Sequence, residues 1–213
     1  MQMNKKGILV VISGFSGSGK GTITKQLLTN YPNTYALSIS ATTREPRPGE
    51  VDKQDYFFVS TEEFENMIQQ DAFMEFAQYV NNSYGTPKEY VLGHLEKGLD
   101  VVLEIDIQGA LKVKKAYPDT LLLFVSPPSA KELKRRLKER GTEDASVIDS
   151  RLSRACQEAE GVEHYDYFVI NDNLEECVQQ VHSMIQNEHA KTARNLVLIE
   201  NIRAELKSFV KGE

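Results

Sequence analysis

The sequence predicts an α/β protein of three layers, with helices on both faces of a mainly parallel central sheet, and three observations predict it. Apolar runs with the length of covered strands occur at 7–13, 101–106, 121–125 and 167–170. A stretch of helical periodicity follows each one, and that alternation favours parallel crossover units over an antiparallel barrel. A glycine-rich turn joins the first run to its helix, the arrangement by which an open α/β sheet presents backbone amides at its carboxyl edge.

Taken in order, the β-branched run 7–13 reads as a central strand. Residues 22–30 then form a helix with Ile23, Leu27 and Leu28 on its inner face. The segment 35–59 is mixed and turn-rich, ending in a strand-like 56–59. Thr61 is expected to cap a helix reaching about Gln70, because its hydroxyl can serve free amides while Glu62 and Glu63 lie at the positive end. Residues 73–80 alternate as a strand, and Thr86-Pro87 is expected to open a helix. This middle block looks like an insertion with its own small sheet. After the strands at 101–106 and 121–125 come helices over 129–140 and 143–161, and after 167–170 come helices over 174–188 and 192–210.

Composition narrows the function. At 213 residues, 40% hydrophobic and 26% charged, the chain is soluble and globular, with no run long enough to span a membrane. A net charge of -6 argues against a protein whose main work is holding nucleic acid. Cys156 and Cys177 fit neither a disulfide scaffold nor a zinc module. A cytoplasmic protein with a small-molecule or protein partner is expected.

The strongest signal is Gly14-Phe15-Ser16-Gly17-Ser18-Gly19-Lys20-Gly21-Thr22 between a buried strand and a helix. Glycines let the amides turn inward around a phosphate, the helix start adds its positive dipole end, and Lys20 supplies a point charge near the β and γ phosphates. The expected fold is thus that of P-loop nucleoside triphosphate hydrolases. Gly21 stands where a Ser or Thr that ligates Mg2+ is usual, so Mg2+ is expected mainly through water and ATP phosphates, with the Thr22 hydroxyl nearby.

Two further constellations speak to the phosphate acceptor. Arg44 and Arg47 lie three apart in a proline-stiffened loop, and guanidinium forks suit phosphate oxygens in two-point contact. Tyr56, Tyr84, Gly85 and Thr86 add phenolic and backbone donors. Glu75 is an acid in a largely apolar strand, and a carboxylate facing guanine accepts from both N1-H and the exocyclic amine, whereas adenine presents an acceptor at N1. Glu104 and Asp106, two apart on the 101–106 strand, are expected on one face at its tip, with Asp106 meeting substrate or a magnesium-bound water or capping the next helix. The basic helix with Arg136 and Arg140, followed by Arg151 and Arg154, reads either as a solvated face or as a mobile lid over the triphosphate.

In this order and combination the motifs resemble the guanylate kinases, over about residues 8–189. The resemblance implies phosphate transfer from ATP to GMP, and to dGMP, with Mg2+ accompanying ATP. It implies a small mixed α+β GMP-binding domain at 37–90, an arginine-rich lid at 127–161, and a core made of 1–36, 91–126 and 162–213. By the same resemblance Ser40, Glu75, Thr86 and Asp106 surround guanine, Arg44, Arg47, Tyr56 and Tyr84 hold the GMP phosphate, Arg136, Arg140 and Arg151 act near the transferring phosphoryl group, and Asn171 and Asp172 lie near adenine. Arg135 and Arg154 receive no role. The family usually has a glycine between the Gly49-Glu50 pair and Tyr56, where this chain reads Val51-Asp52-Lys53-Gln54-Asp55, which leaves the shape of that loop open. A kinase for another nucleoside monophosphate and a non-catalytic phosphopeptide-binding module are the rival readings. A monomer and a homodimer both remain open, since the apolar residues of 192–210 can dock on their own protomer or on a partner.

Overall fold

The computed structural model describes residues 6–79, 81–139 and 145–210. Along them run β1 (Leu9–Gly14), α1 (Lys20–Asn30), β2 (Tyr35–Leu37), β3 (Ala41–Thr42), β4 (Phe57–Phe58), α2 (Thr61–Gln69), β5 (Phe73–Tyr79), β6 (Asn82–Pro87), α3 (Lys88–Glu96), β7 (Asp100–Leu103), α4 (Ile107–Ala116), β8 (Leu121–Ser126), α5 (Ala130–Glu139), α6 (Ala145–Ala159), β9 (Tyr167–Ile170), α7 (Leu174–His189) and α8 (Leu196–Val210). Short 3-10 turns occupy Val162–His164 and Thr192–Asn195.

β1 lies at the middle of a parallel sheet of order β2-β7-β1-β8-β9. Its alternate side chains feed two cores, as strand geometry requires. Val10 and Ile12 pack with Ile23 and Leu27 of α1 and with Val178 and Val181 of α7. Leu9 and Val11 pack on the other face with Val91 and Leu95 of α3 and with Ala110 and Val113 of α4. Each such side chain contributes roughly 1.5–3 kcal/mol on burial, and together they fix the carboxyl ends of the strands along one edge. That edge carries Gly14, Ile105, Ser126 and Asn171.

A second, mixed sheet of order β4-β3-β6-β5 packs with α2 through Ala41, Phe64 and Phe73. A third cluster joins α5 and α6 through Leu133, Leu137, Ile148 and Ala155, with Phe15 of the glycine-rich loop packed against it.

Local readings shift where neighbouring chain decides. Ser60, not Thr61, caps α2: its hydroxyl accepts from the Glu63 amide at 3.1 Å while the Glu63 carboxylate accepts from the Ser60 amide at 2.7 Å. Residues 82–87 are a strand, so Thr86 belongs to β6 and Pro87 caps α3 without entering it. The pairing of β6 with both β3 and β5 overrides the local helix-start signal. β7 ends at Leu103, leaving Glu104 and Asp106 on the connection beyond it instead of on one strand face. Lys53 adopts a left-handed φ of 63° in the loop where the glycine is missing, with its amide donating to the Tyr56 carbonyl at 2.7 Å.

Candidate active site

The glycine-rich loop leaves β1 at Gly14 and enters α1 at Lys20. Gly19 takes φ 92°, and a Cβ there would stand 2.4 Å from Asn171 Nδ2, so both the backbone angle and the close approach call for glycine. Asn171 holds the turn from the far strand by donating to the Ser18 carbonyl at 2.8 Å. The ammonium of Lys20 lies back against the Gly14 and Phe15 carbonyls. Gly21 and Thr22 are exposed in the first turn of α1, whereas Ser18 is buried and its hydroxyl has no protein partner.

Arg151 of α6 reaches this loop, and Arg136 of α5 reaches Asn171 beside it. Arg151 donates to Ser16 Oγ at 3.0 Å, and Arg136 donates to the Asn171 carbonyl at 2.9 Å while bonded to Glu132 at 2.7 Å. Arg140 lies outside the described residues. Arg135 pairs with Glu132 and Glu139 on the exposed face of α5, a solvated network. Asp172 is exposed beside Asn171.

Across the carboxyl edge, the small sheet brings Glu75 and Thr86 together from adjacent strands, and Thr86 Oγ1 donates to Glu75 Oε1 at 2.7 Å. Burial pushes the Glu75 carboxyl above its ordinary value; the Thr86 bond opposes this, the Asp106 charge adds to it and Lys112 opposes it. Asp106 caps α4 by accepting from the Gly109 amide at 3.0 Å, and its other oxygen accepts from Arg154 at 3.2 Å. The capping reading of Asp106 is the one these bonds show. Arg154, which receives no role from the sequence, reaches it from α6, 48 residues away.

Ser40, Tyr56, Thr86 and Glu104 line a cavity of about 200 Å3 together with Ser38, whose buried Oγ has no protein partner. Arg44 and Tyr84 both stand against Tyr56, which lines this pocket. The Arg44 guanidinium lies 5.3 Å from the Tyr56 ring centroid, and the two tyrosine rings are 6.2 Å apart. Both carboxylate oxygens of Glu50 accept from Arg44, at 2.8 and 2.9 Å, and one also accepts from the Arg47 amide at 2.8 Å. The Arg47 bond leads in holding the Glu50 carboxyl below its ordinary value, with Arg44 helping. Burial alone would lower Arg44, but its bonds to Glu50 and Tyr84 hold it above its ordinary value. Glu50 was missed in the sequence; its only signal was its place in the Arg44–Arg47 loop. The Arg47 side chain is exposed, and Gly85 lies beneath Phe73, where a Cβ would come within 2.8 Å of that ring.

A phosphate loop on the central strand of a parallel sheet, with a separate polar pocket at the same edge, defines a P-loop α/β protein. The family model for guanylate kinase matches residues 6–188. The chain is 51% identical to a guanylate kinase of Caldanaerobacter subterraneus over 96% of this chain and 99% of that one. It is 47% identical to a guanylate kinase of Clostridioides difficile over 95% and 98%. Among solved structures, guanylate kinase from Anaplasma phagocytophilum is similar with a TM-score of 0.71 and 32% identity, covering 90% of each chain. The chain belongs to the guanylate kinase family. Among the described residues, no helix is long and apolar enough to cross a membrane.

Proposed function

We propose that this chain transfers the γ-phosphate of ATP to GMP, and to dGMP on the same base contacts, giving ADP and GDP or dGDP. The observation that carries the acceptor's identity is the Glu75–Thr86 pair with Asp106 nearby. An ionised Glu75 offers two acceptors to the N1-H and exocyclic amine of guanine, and neither adenine nor a pyrimidine presents that pair of donors in the same geometry. The orphan hydroxyl of Ser38 in the adjoining cavity is a further polar group that a bound ligand or water would satisfy.

In this reading Arg44, Arg47, Tyr56 and Tyr84 hold the acceptor phosphate, with Glu50 keeping Arg44 in place until it arrives. An oxygen of that phosphate attacks the ATP γ-phosphorus in line, and the bond from phosphorus to the β-bridging oxygen breaks with its electron pair leaving on ADP. A phosphate monoester is already an anionic nucleophile near neutral pH, so no general base is required. Lys20, Arg136 and Arg151 neutralise the equatorial oxygens, and Arg140 is assigned the same task.

The oxygen donors near the loop suit Mg2+. Glu104 Oε2 lies 3.6 Å from where a Cβ on Gly21 would sit, and the exposed Thr22 follows. No group of three or more His, Cys, Asp or Glu that could hold a metal occurs among the described residues. Mg2+ would be carried mostly by nucleotide phosphates and water, and Glu104 and Thr22 would take hydrogen bonds from those waters. When bound, Mg2+ would offset charge on the β and γ phosphates.

The 37–90 and 127–161 regions close on the core when both nucleotides bind, excluding water that would hydrolyse ATP. Small-angle scattering that showed no compaction with both ligands would refute the closure. The decisive experiment measures ADP formation from Mg-ATP with GMP, dGMP, AMP, UMP and CMP offered separately, and identifies the product. Turnover with GMP no greater than with AMP or UMP would sink the proposal.

A further inference from the structure

Two arginines one turn apart on α6 hold different parts of the site. Arg151 donates to Ser16 Oγ of the phosphate loop at 3.0 Å. Leu152 and Ala155 pack in the same cluster as Phe15 of that loop, so α6 is tied to the loop by apolar contact as well. Arg154 donates from Nη2 to Asp106 Oδ2 at 3.2 Å and from Nε to Glu158 Oε1 at 3.0 Å, and these two acids orient its guanidinium. Asp106 Oδ1 in turn accepts from the Gly109 amide in the first turn of α4. A Cβ on Gly109 would stand 3.1 Å from Glu75 Oε2, so that turn lies directly against the acid of the acceptor pocket. Around the Arg154–Asp106 pair, α4 and α6 are parted by a cavity of about 580 Å3 lined by Ile107, Gln108, Leu111 and Gln157. The pair spans a gap that packing leaves open.

We propose that Arg154 is a positioning residue that couples the two nucleotide sites, by tying α6, and with it Arg151 at the phosphate loop, to the Asp106 cap against which Glu75 sits. The inference rests on the reading of Glu75 as the guanine contact. Contact runs from Glu75 through Gly109 and Asp106 to Arg154, then along one helical turn to Arg151 and Ser16. Coupling between sites travels through such contiguous groups when they are held by a rigid element, and α6 is that element here. A nucleotide seated in the phosphate loop fixes α6, and Arg154 then presents Asp106 and the α4 turn to an arriving GMP with their alignment already set. The linkage is therefore positive, and it is reciprocal. Both partners of the ion pair are nearly half exposed, at 45% and 42%, so the pair adds little to global stability and its effect falls on alignment.

Calorimetry of GMP binding, with and without the Mg2+ complex of a β,γ-methylene analogue of ATP that cannot transfer its phosphate, reads the linkage as a ratio of dissociation constants. Wild-type protein should bind GMP more tightly with the analogue present. Arg154→Ala should lower that ratio by about threefold, the size of effect an exposed ion pair supports at about 1.4 kcal/mol per decade. Asp106→Asn keeps a capping side chain but loses the charge that Arg154 meets, so adding Arg154→Ala to it should lower the ratio no further. A wild-type ratio in Arg154→Ala overturns the proposal, whether or not its unfolding temperature falls. An equal loss in both backgrounds also overturns it, because the effect would then bypass Asp106. Wild-type protein that binds no GMP would overturn the acceptor reading and this inference with it, a failure distinct from GMP binding without linkage.

Discussion

Replacing Glu75 by Gln should move activity and stability in opposite directions. The substitution keeps the shape and one acceptor oxygen, so the bond from Thr86 at 2.7 Å survives. It turns the second acceptor into an amine that faces a donor on guanine. Losing one charge-assisted hydrogen bond and weakening the other costs about 3 kcal/mol, at roughly 1.5–3 kcal/mol each. At 1.4 kcal/mol per decade this is about a hundredfold fall in kcat/KM for GMP. Stability goes the other way because burial raises the Glu75 pKa. A carboxyl whose folded pKa exceeds its unfolded value favours folding at low pH and loses that contribution as pH rises through the folded pKa. At neutral pH the ionised group therefore opposes folding, and Gln removes the opposition. The assay is steady-state kinetics with GMP and with ATP varied in turn, beside thermal unfolding at pH 7.5. A GMP kcat/KM within threefold of wild type, or a variant that is clearly less stable, would refute the reasoning.

The same raised pKa predicts that kcat/KM for GMP declines on acidification at a higher pH than an ordinary Glu would dictate, and that the Gln variant loses this limb; a pH profile of both proteins checks it. Arg44→Ala removes a two-point phosphate ligand and strands the Glu50 carboxylate toward the incoming phosphate, so GMP kcat/KM should fall about a thousandfold, with about tenfold recovered by adding Glu50→Gln. Lys20→Met should lower kcat by about a hundredfold to a thousandfold, with GMP binding by calorimetry retained. Lys53→Gly relieves a left-handed backbone that costs a side chain roughly 1–2 kcal/mol, partly offset by glycine's unfolded freedom, so denaturant titration should find the variant about 0.5 kcal/mol more stable.

Much of the fold was legible because its signals are local. The run at 7–13 and the helix after it appear as β1 and α1, and Ile23 and Leu27 are buried as their spacing required. Strand β6 was illegible for the converse reason: Asn82–Pro87 carries turn and helix-start residues, and only its partners on β3 and β5 make it a strand. Lys53 shows the same limit, since nothing in its own identity announces a positive φ.

The sequence by itself determined the phosphate loop, the α/β alternation and the types of side chain available to an acceptor. Glycine spacing and apolar periodicity are constraints between near neighbours, and they survive in a one-dimensional record. Only the tertiary structure decided which charges meet. Arg154 reaches Asp106 across 48 residues, Arg151 reaches Ser16 across 135, and both carboxylate oxygens of Glu50 accept from Nη2 of Arg44. Charge-assisted hydrogen bonds act through space over about 3 Å and are blind to separation along the chain, so their partners are set by how the layers pack.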